Sequence, residues 1–214
     1  MNKKTITRPR GRPAPREGVD RREDILNIAE KLFALKGFSA TAIREIADEA
    51  EVNSAMVHYY FGSKQKLLEA VMDRVFEPLA EAIDSMQDQQ QVDIQDFVKL
   101  FFSTISSHRY LPQLVVREIF LPGGKMQQQF LQHFAPRLGG RLPGMLKSEQ
   151  QAGRLSNEFQ PEHTALMILS LCIFPMIARP AAEKALNISY DEAGLKTISR
   201  HISQLLERGL KNES

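Results

Sequence analysis

Apolar residues recur along this chain at intervals of three and four, and no alternating β-branched run interrupts them. The first stripe is Ile25, Ile28, Ala29, Leu32 and Phe33. It predicts a helix from residue 20 or 21 to 36, stopped by Gly37. Thr41 suits the cap of a second helix over 42–50, with Ile43, Ile46, Ala47 and Ala50 on its inner face. A turn at 51–53 leads to a third, short helix from 54 to about 60, on which Val57, Tyr60 and Phe61 face inward. Gly62 breaks it, and Ser63 caps a fourth helix carrying Leu67, Leu68, Val71, Met72 and Val75. A tight turn between the second and third of these helices is the mark of a helix-turn-helix. A plain helical mini-bundle meets the same spacing.

From residue 67 onward the pattern predicts a larger helical bundle. Asp93 caps a helix through Phe97, Leu100, Phe101 and Ile105, after a polar connection at 84–93. "FLPGGK" at 120–125 and "SNEFQPEH" at 156–163 are breaks, and Pro161 suits the first turn of the apolar helix that follows. "ARP" at 178–180 ends that helix. A last amphipathic helix carries Leu195, Ile198, Ile202, Leu205, Leu206 and Leu210. The expectation is an all-α protein with a basic flexible arm at 1–20, a helix-turn-helix domain at 21–66 and a helical bundle at 67–214.

The net charge of the 214 residues is only +2, but it is unevenly placed. Lys3, Lys4, Arg8, Arg10, Arg12, Arg16, Arg21 and Arg22 precede or open the first helix, opposed by Glu17 and Asp20 alone. Such a block is either a footprint for a polyanion or a solvated tail. The single cysteine, Cys172, excludes an internal disulfide and a cysteine-cluster zinc site, and its apolar surroundings make it a core residue. No apolar signal core and no apolar run of about 20 residues is present, so neither a membrane span nor export is expected, and the cytoplasm is the default. His58, His108, His133, His163 and His201 share no metal spacing, and no phosphate loop or nucleophile elbow follows a strand. No catalytic residue, metal, cofactor or enzymatic activity is expected.

The third helix leaves Ser54, Ala55, Met56, His58 and Tyr59 outward. Small residues at a helix start allow close approach to the major groove, and His and Tyr can donate to phosphate. Lys64 and Lys66 fall in the first turn of the fourth helix, where the macrodipole disfavours cations. An anion docked at that turn would account for them.

"TAIREIADEAEVNSAMVHYYFGSKQKLL" at 41–68, preceded by "AEKLFALKGF" at 29–38, resembles the DNA-binding segment of the TetR/AcrR family of bacterial transcriptional regulators. Thr41, Ile46, Ala47, Ala50, Val52, Tyr60, Phe61, Ser63, Lys64, Leu67 and Leu68 carry the likeness. Glu51 departs from it, since the family usually has Gly there, and a turn open to a non-Gly residue is expected. His58 stands where Tyr is common, which would make a phosphate bond pH-sensitive. The resemblance implies that Thr41 meets the DNA backbone and that Arg44 reaches the groove. It implies that Ser54, Ala55 and Met56 read base edges, while His58, Tyr59, Tyr60 and Lys64 hold phosphates. Directly before such a unit, "PRGRP" at 9–13 looks like an AT-hook, with Arg10 and Arg12 entering an A·T-rich minor groove.

The same resemblance implies a homodimer and a small-molecule pocket in the bundle. The helices at about 164–177 and 195–210 suit the dimer interface. Phe97, Phe101, Phe102, Ile105, Phe120, Met126, Phe130, Phe134 and Met167 are candidates to line an apolar pocket, or plain core. Arg117 and Glu118 would orient the ligand or pair at its rim. The function implied is a ligand-responsive, sequence-specific repressor on a palindromic operator, with a lipophilic effector. The alternatives are an architectural binder of A·T-rich DNA without effector, and a helical adaptor whose helix-turn-helix is vestigial.

Overall fold

The computed structural model describes residues 20–87 and 93–211, and the first described element is the helix that the first stripe predicts. Arg10 and Arg12 lie outside the described residues. Helix α1 spans Arg21–Lys36, and the Asp20 carboxylate accepts the amides of Arg22 at 2.9 Å and Glu23 at 3.4 Å. Glu23 and Asp24 complement the dipole in its first turn. Gly37, with φ of 92°, turns the chain out of the helix.

Helix α2 spans Ile43–Glu49 and opens at Ala42, with no side chain capping it. Thr41 does not have the capping role expected of it. The residue is 1% exposed, and its hydroxyl donates to Gly37 O at 2.8 Å, with Leu32 O at 3.3 Å. A cap must accept free amides. Here the hydroxyl turns back to the end of α1, to the same Gly37 carbonyl that accepts the Thr41 amide at 3.2 Å.

The turn to α3 holds Glu51 at φ of 53°, in the left-handed region. The expected non-glycine turn is therefore not what forms: Glu51 occupies a glycine-favouring conformation. Helix α3, Ser54–Phe61, is capped by Asn53, which accepts the Met56 amide at 2.8 Å. Val57 and Phe61 are buried, but Tyr60 is 40% exposed rather than inward. Ser63 accepts the Lys66 amide at 3.2 Å and opens α4, which runs unbroken over Lys64–Gln87.

Beyond it stand α5 (Ile94–Ser106), capped by Asp93, and α6 (Leu111–Val115), which continues as a wider π-helical turn, π1 (Val116–Phe120). After the 121–126 turn come α7 (Gln127–Gln129), a second π-helical turn, π2 (Phe130–Phe134), and α8 (Ala135–Leu138). The last described elements are α9 (Leu142–Gln151), α10 (Pro161–Ile177), α11 (Arg179–Ala185) and α12 (Glu192–Leu210). Pro180 sits in the first turn of α11, so "ARP" closes one helix and opens another. No strand occurs among the described residues, and no single described helix is long and apolar enough to cross a membrane.

Two apolar cores meet on α4. The first joins Ile25, Phe33, Ile46, Val57, Phe61 and Leu68 to Leu114, Ile119 and Phe134. The second joins Ile83, Phe97, Val98, Met145, Ile168, Cys172 and Ile202. The boundary expected at 66/67 falls inside α4, and the first core takes in residues from both sides of it. Arg74 of α4 strengthens that union through Glu30 at 2.7 Å and Glu23 at 3.0 Å on α1. The buried Glu30 also lies 3.1 Å from His108 Nδ1.

Candidate nucleic-acid interface and effector chamber

The exposed face of α3 has the composition of a groove-facing helix. Ala55 is open, Ser54 and Met56 are half-buried at its start, and Tyr59 stands 83% exposed at its far end. Tyr59 and Tyr60 meet edge to face at 5.4 Å, and both are exposed. Arg44 of α2 is 87% exposed, and its nearest acid, Asp48, is 3.8 Å away. It is free to enter a groove at little cost. His58 Nδ1 lies 3.0 Å from Gly62 O, so the bond is an N–H donated to that carbonyl. A neutral ring so held offers Nε2 as an acceptor only, and donation to a phosphate takes the protonated ring.

Two expected DNA contacts are placed elsewhere. Thr41 is buried, as described above. The Lys64 ammonium donates to Phe38 O at 2.8 Å and Thr41 O at 2.9 Å, and lies 4.4 Å over the Phe38 ring. These carbonyls and the ring offset the unfavourable helix start, so no docked anion is needed to explain Lys64. Lys66 remains exposed. Arg22, absent from the expected contacts, lies 5.4 Å over the Phe61 ring and so brings its charge to the end of α3. The basic pair Arg21 and Arg22 was the signal for it.

Within the bundle lies a cavity of 830 Å³. Val75, Phe76, Leu79 and Ile83 of α4 form one wall, and Phe97, Phe101 and Ile105 of α5 another. Phe120, Phe130 and α10, through Leu169, Ile173 and Phe174, complete it. Thr104 and Ser170 are the polar side chains on its wall. Each donates its hydroxyl to a carbonyl of its own helix, Leu100 O at 3.0 Å and Leu166 O at 2.7 Å. The chamber therefore favours an apolar occupant. Phe120, Leu131, Leu166 and Phe174 line it yet are each more than half exposed, and they rim its mouth.

Phe97, Phe101, Ile105, Phe120 and Phe130 reach this chamber as expected. Met167 does not, because it lies on the outer face of α10, 55% exposed. Phe102, Met126 and Phe134 are buried in the cores and do not line the chamber. Arg117 is also misplaced by the sequence. Its Nη1 donates to Ala34 O at 3.0 Å, and its guanidinium lies against Gly37, 3.3 Å from where a Cβ would stand. Glu118, 4% exposed, accepts the Phe38 amide and the Lys125 amide, each at 3.2 Å. Neither charge orients a ligand. Both grip the connection between α1 and α2 from a turn whose next residues, Ile119 and Phe120, enter the core and the chamber wall.

No group of three or more His, Cys, Asp or Glu suited to a metal occurs among the described residues. Burial pushes the Cys172 thiol up to about 12, which leaves it no nucleophile.

Residues 25–71 match the family described as bacterial regulatory proteins, tetR family. Over 196 residues the chain is 26% identical to the HTH-type transcriptional repressor NicS of Pseudomonas putida, covering 89% of this chain and 92% of that protein. Among solved structures, the ketosteroid transcriptional regulator KstR2 of Mycobacterium tuberculosis superposes with a TM-score of 0.74 at 16% identity, over 91% of this chain and 96% of that one. A putative transcriptional regulator from Saccharomonospora viridis, in complex with choline, superposes with a TM-score of 0.67 at 17% identity, over 90% of this chain and 98% of that one.

Proposed function

We propose, from the tetR-family match of residues 25–71 and the likeness to a transcriptional repressor over most of its length, that the chain is a DNA-binding transcriptional regulator and not an enzyme, a cytoplasmic homodimeric repressor released from its operator by a lipophilic effector in the bundle. The 830 Å³ apolar chamber is the single observation that carries the effector part of this reading. An architectural binder without effector has no use for it. The choline held by a protein of the same fold supports a ligand site in this architecture.

In this reading α3 lies in the major groove, Arg44 reaches a base edge, and Ser54, Ala55 and Met56 read their neighbours. Tyr59, Tyr60, Lys66, Arg22 and protonated His58 hold phosphates. Arg10 and Arg12 reach into the adjacent minor groove. A second copy covers Met167 and Leu171 on the outer face of α10, and α12 packs beside it in an isologous contact. Two α3 helices then face half-sites about 34–36 Å apart.

A ligand pressing on Phe120 displaces π1, and with it Arg117 and Glu118. Their partners, Ala34 and Phe38, lead directly to the Thr41 and Lys64 junction that holds α2 and α3. The ligand favours the arrangement in which the chamber is filled, and the operator favours the other.

Fluorescence anisotropy on the DNA upstream of the gene, across a salt series, tests the first half. Tight binding lost on a scrambled duplex, and lost in Arg44→Ala, is expected. Equal binding to the scramble would overturn sequence-specific repression.

A further inference from the structure

Beside the chamber lies a second cavity of 240 Å³, and Ile105, Pro112 and Met176 line both. Its chemistry is different. Arg109, from the connection after α5, and Arg179, at the start of α11, face it together with Ser106 and Tyr190.

The donors there can be counted. Ser106 gives its proton to Ser103 O at 2.7 Å. Tyr190 gives its own to Pro175 O at 2.7 Å, and burial raises its pKa, so it serves as a neutral aromatic wall. Arg179 commits its Nε to Glu183 at 2.9 Å, and its guanidinium carbon lies 5.3 Å over the Tyr190 ring. Its terminal nitrogens carry no hydrogen bond among the described residues. Arg109 has neither a hydrogen bond nor an ion pair among the described residues. Two guanidinium charges thus face one cavity, and Glu183 is the carboxylate that offsets one of them. Their free donors are forks suited to a planar anion.

We propose that this cavity binds the carboxylate head of an amphipathic effector whose apolar body fills the adjoining chamber. Met176, unbranched and set between the two spaces, is the side chain that swings to let one molecule occupy both. The proposal rests on reading the chamber as the effector site. It adds that the effector is an anion with a long apolar body, not a neutral lipophile.

The test uses the full chain and two probes of equal length, dodecanoate and dodecan-1-ol, each displacing Nile red from the protein. Dodecanoate should bind about ten-fold tighter or more, the worth of a charge-assisted pair of hydrogen bonds. Arg109→Gln should lose part of that preference. Arg109→Gln with Arg179→Gln should bring the two probes to about equal affinity while leaving dodecan-1-ol binding as it was. Arg109 is exposed, so the single variant folds even where the double one does not. Equal affinity of the two probes for the unaltered protein, or a preference that survives in the variants, would overturn the proposal. If neither probe binds, the head-group site and the effector chamber fall together. If dodecanoate is preferred yet operator affinity does not change, the head-group site stands and the repressor-release reading falls.

Discussion

The carboxylate of Glu118 accepts the backbone amide of Phe38 across 80 positions of sequence, at 3.2 Å and almost wholly buried. With the Arg117 bond to Ala34 O, it links the turn that lines the chamber to the segment that leads into the helix-turn-helix. Glu118→Ala leaves two amides, of Phe38 and Lys125, without their acceptor. The loss should cost about 2–3 kcal/mol, seen as a melting point lower by roughly 4–12 °C for a chain of this size. In Glu118→Gln, which keeps the shape and loses the charge, the effector should release operator DNA less completely. Unchanged release in both variants would remove π1 from the coupling route.

Glu51 holds a left-handed backbone at φ of 53°. An L-residue there costs about 1–2 kcal/mol, partly offset in Gly by its greater chain entropy. Glu51→Gly should therefore raise the melting point by roughly 2–4 °C. A lower melting point would mean that the Glu51 side chain contributes more than its backbone costs.

Lys64 and Lys66 separate a structural cation from a DNA-facing one. Lys64→Met removes the ammonium from the carbonyls of Phe38 and Thr41 and should destabilise the fold while leaving the salt slope of DNA binding unchanged. Lys66→Ala should do the reverse, lowering the slope by about one unit with the melting point intact. A fall in slope for Lys64→Met would restore it to the phosphate contacts.

Met167 and Leu171 lie on the outer face of α10 and outside the chamber. Met167→Asp with Leu171→Asp places charge in the proposed dimer contact and should yield monomers by sedimentation equilibrium, with operator affinity lost. A dimer that persists would place the interface on another face.

Cys172 is buried with its thiol pushed up to about 12. Ellman's reagent at pH 8 should leave the native protein unlabelled for as long as it stays folded, and label one thiol at once in denaturant. Fast native labelling would show α10 opening from the core.

The local code of the first four helices was open to reading because each signal acts within a few residues. Asp20 and Asn53 cap their own helices, Gly37 and Gly62 stop them, and the stripe of Ile25, Ala29 and Phe33 declares its buried face. Spacing of this kind marks the helices and their buried faces, and the family resemblance of 41–68 is what separates a helix-turn-helix from a plain helical mini-bundle. Polar side chains whose partners lie far along the chain were beyond that reading. Thr41 reads as a cap, Lys64 as a phosphate ligand and Arg117 as a pocket charge. In the fold all three are bound to backbone carbonyls of α1 and the loop after it. Met167 and Phe101 look alike as apolar residues of long helices, and only packing sends one outward and the other to the chamber. Periodicity determines which residues share a face. Tertiary contact decides what that face meets, because burial of an apolar stripe is non-directional and an unpaired carbonyl takes whichever donor the chain brings to it.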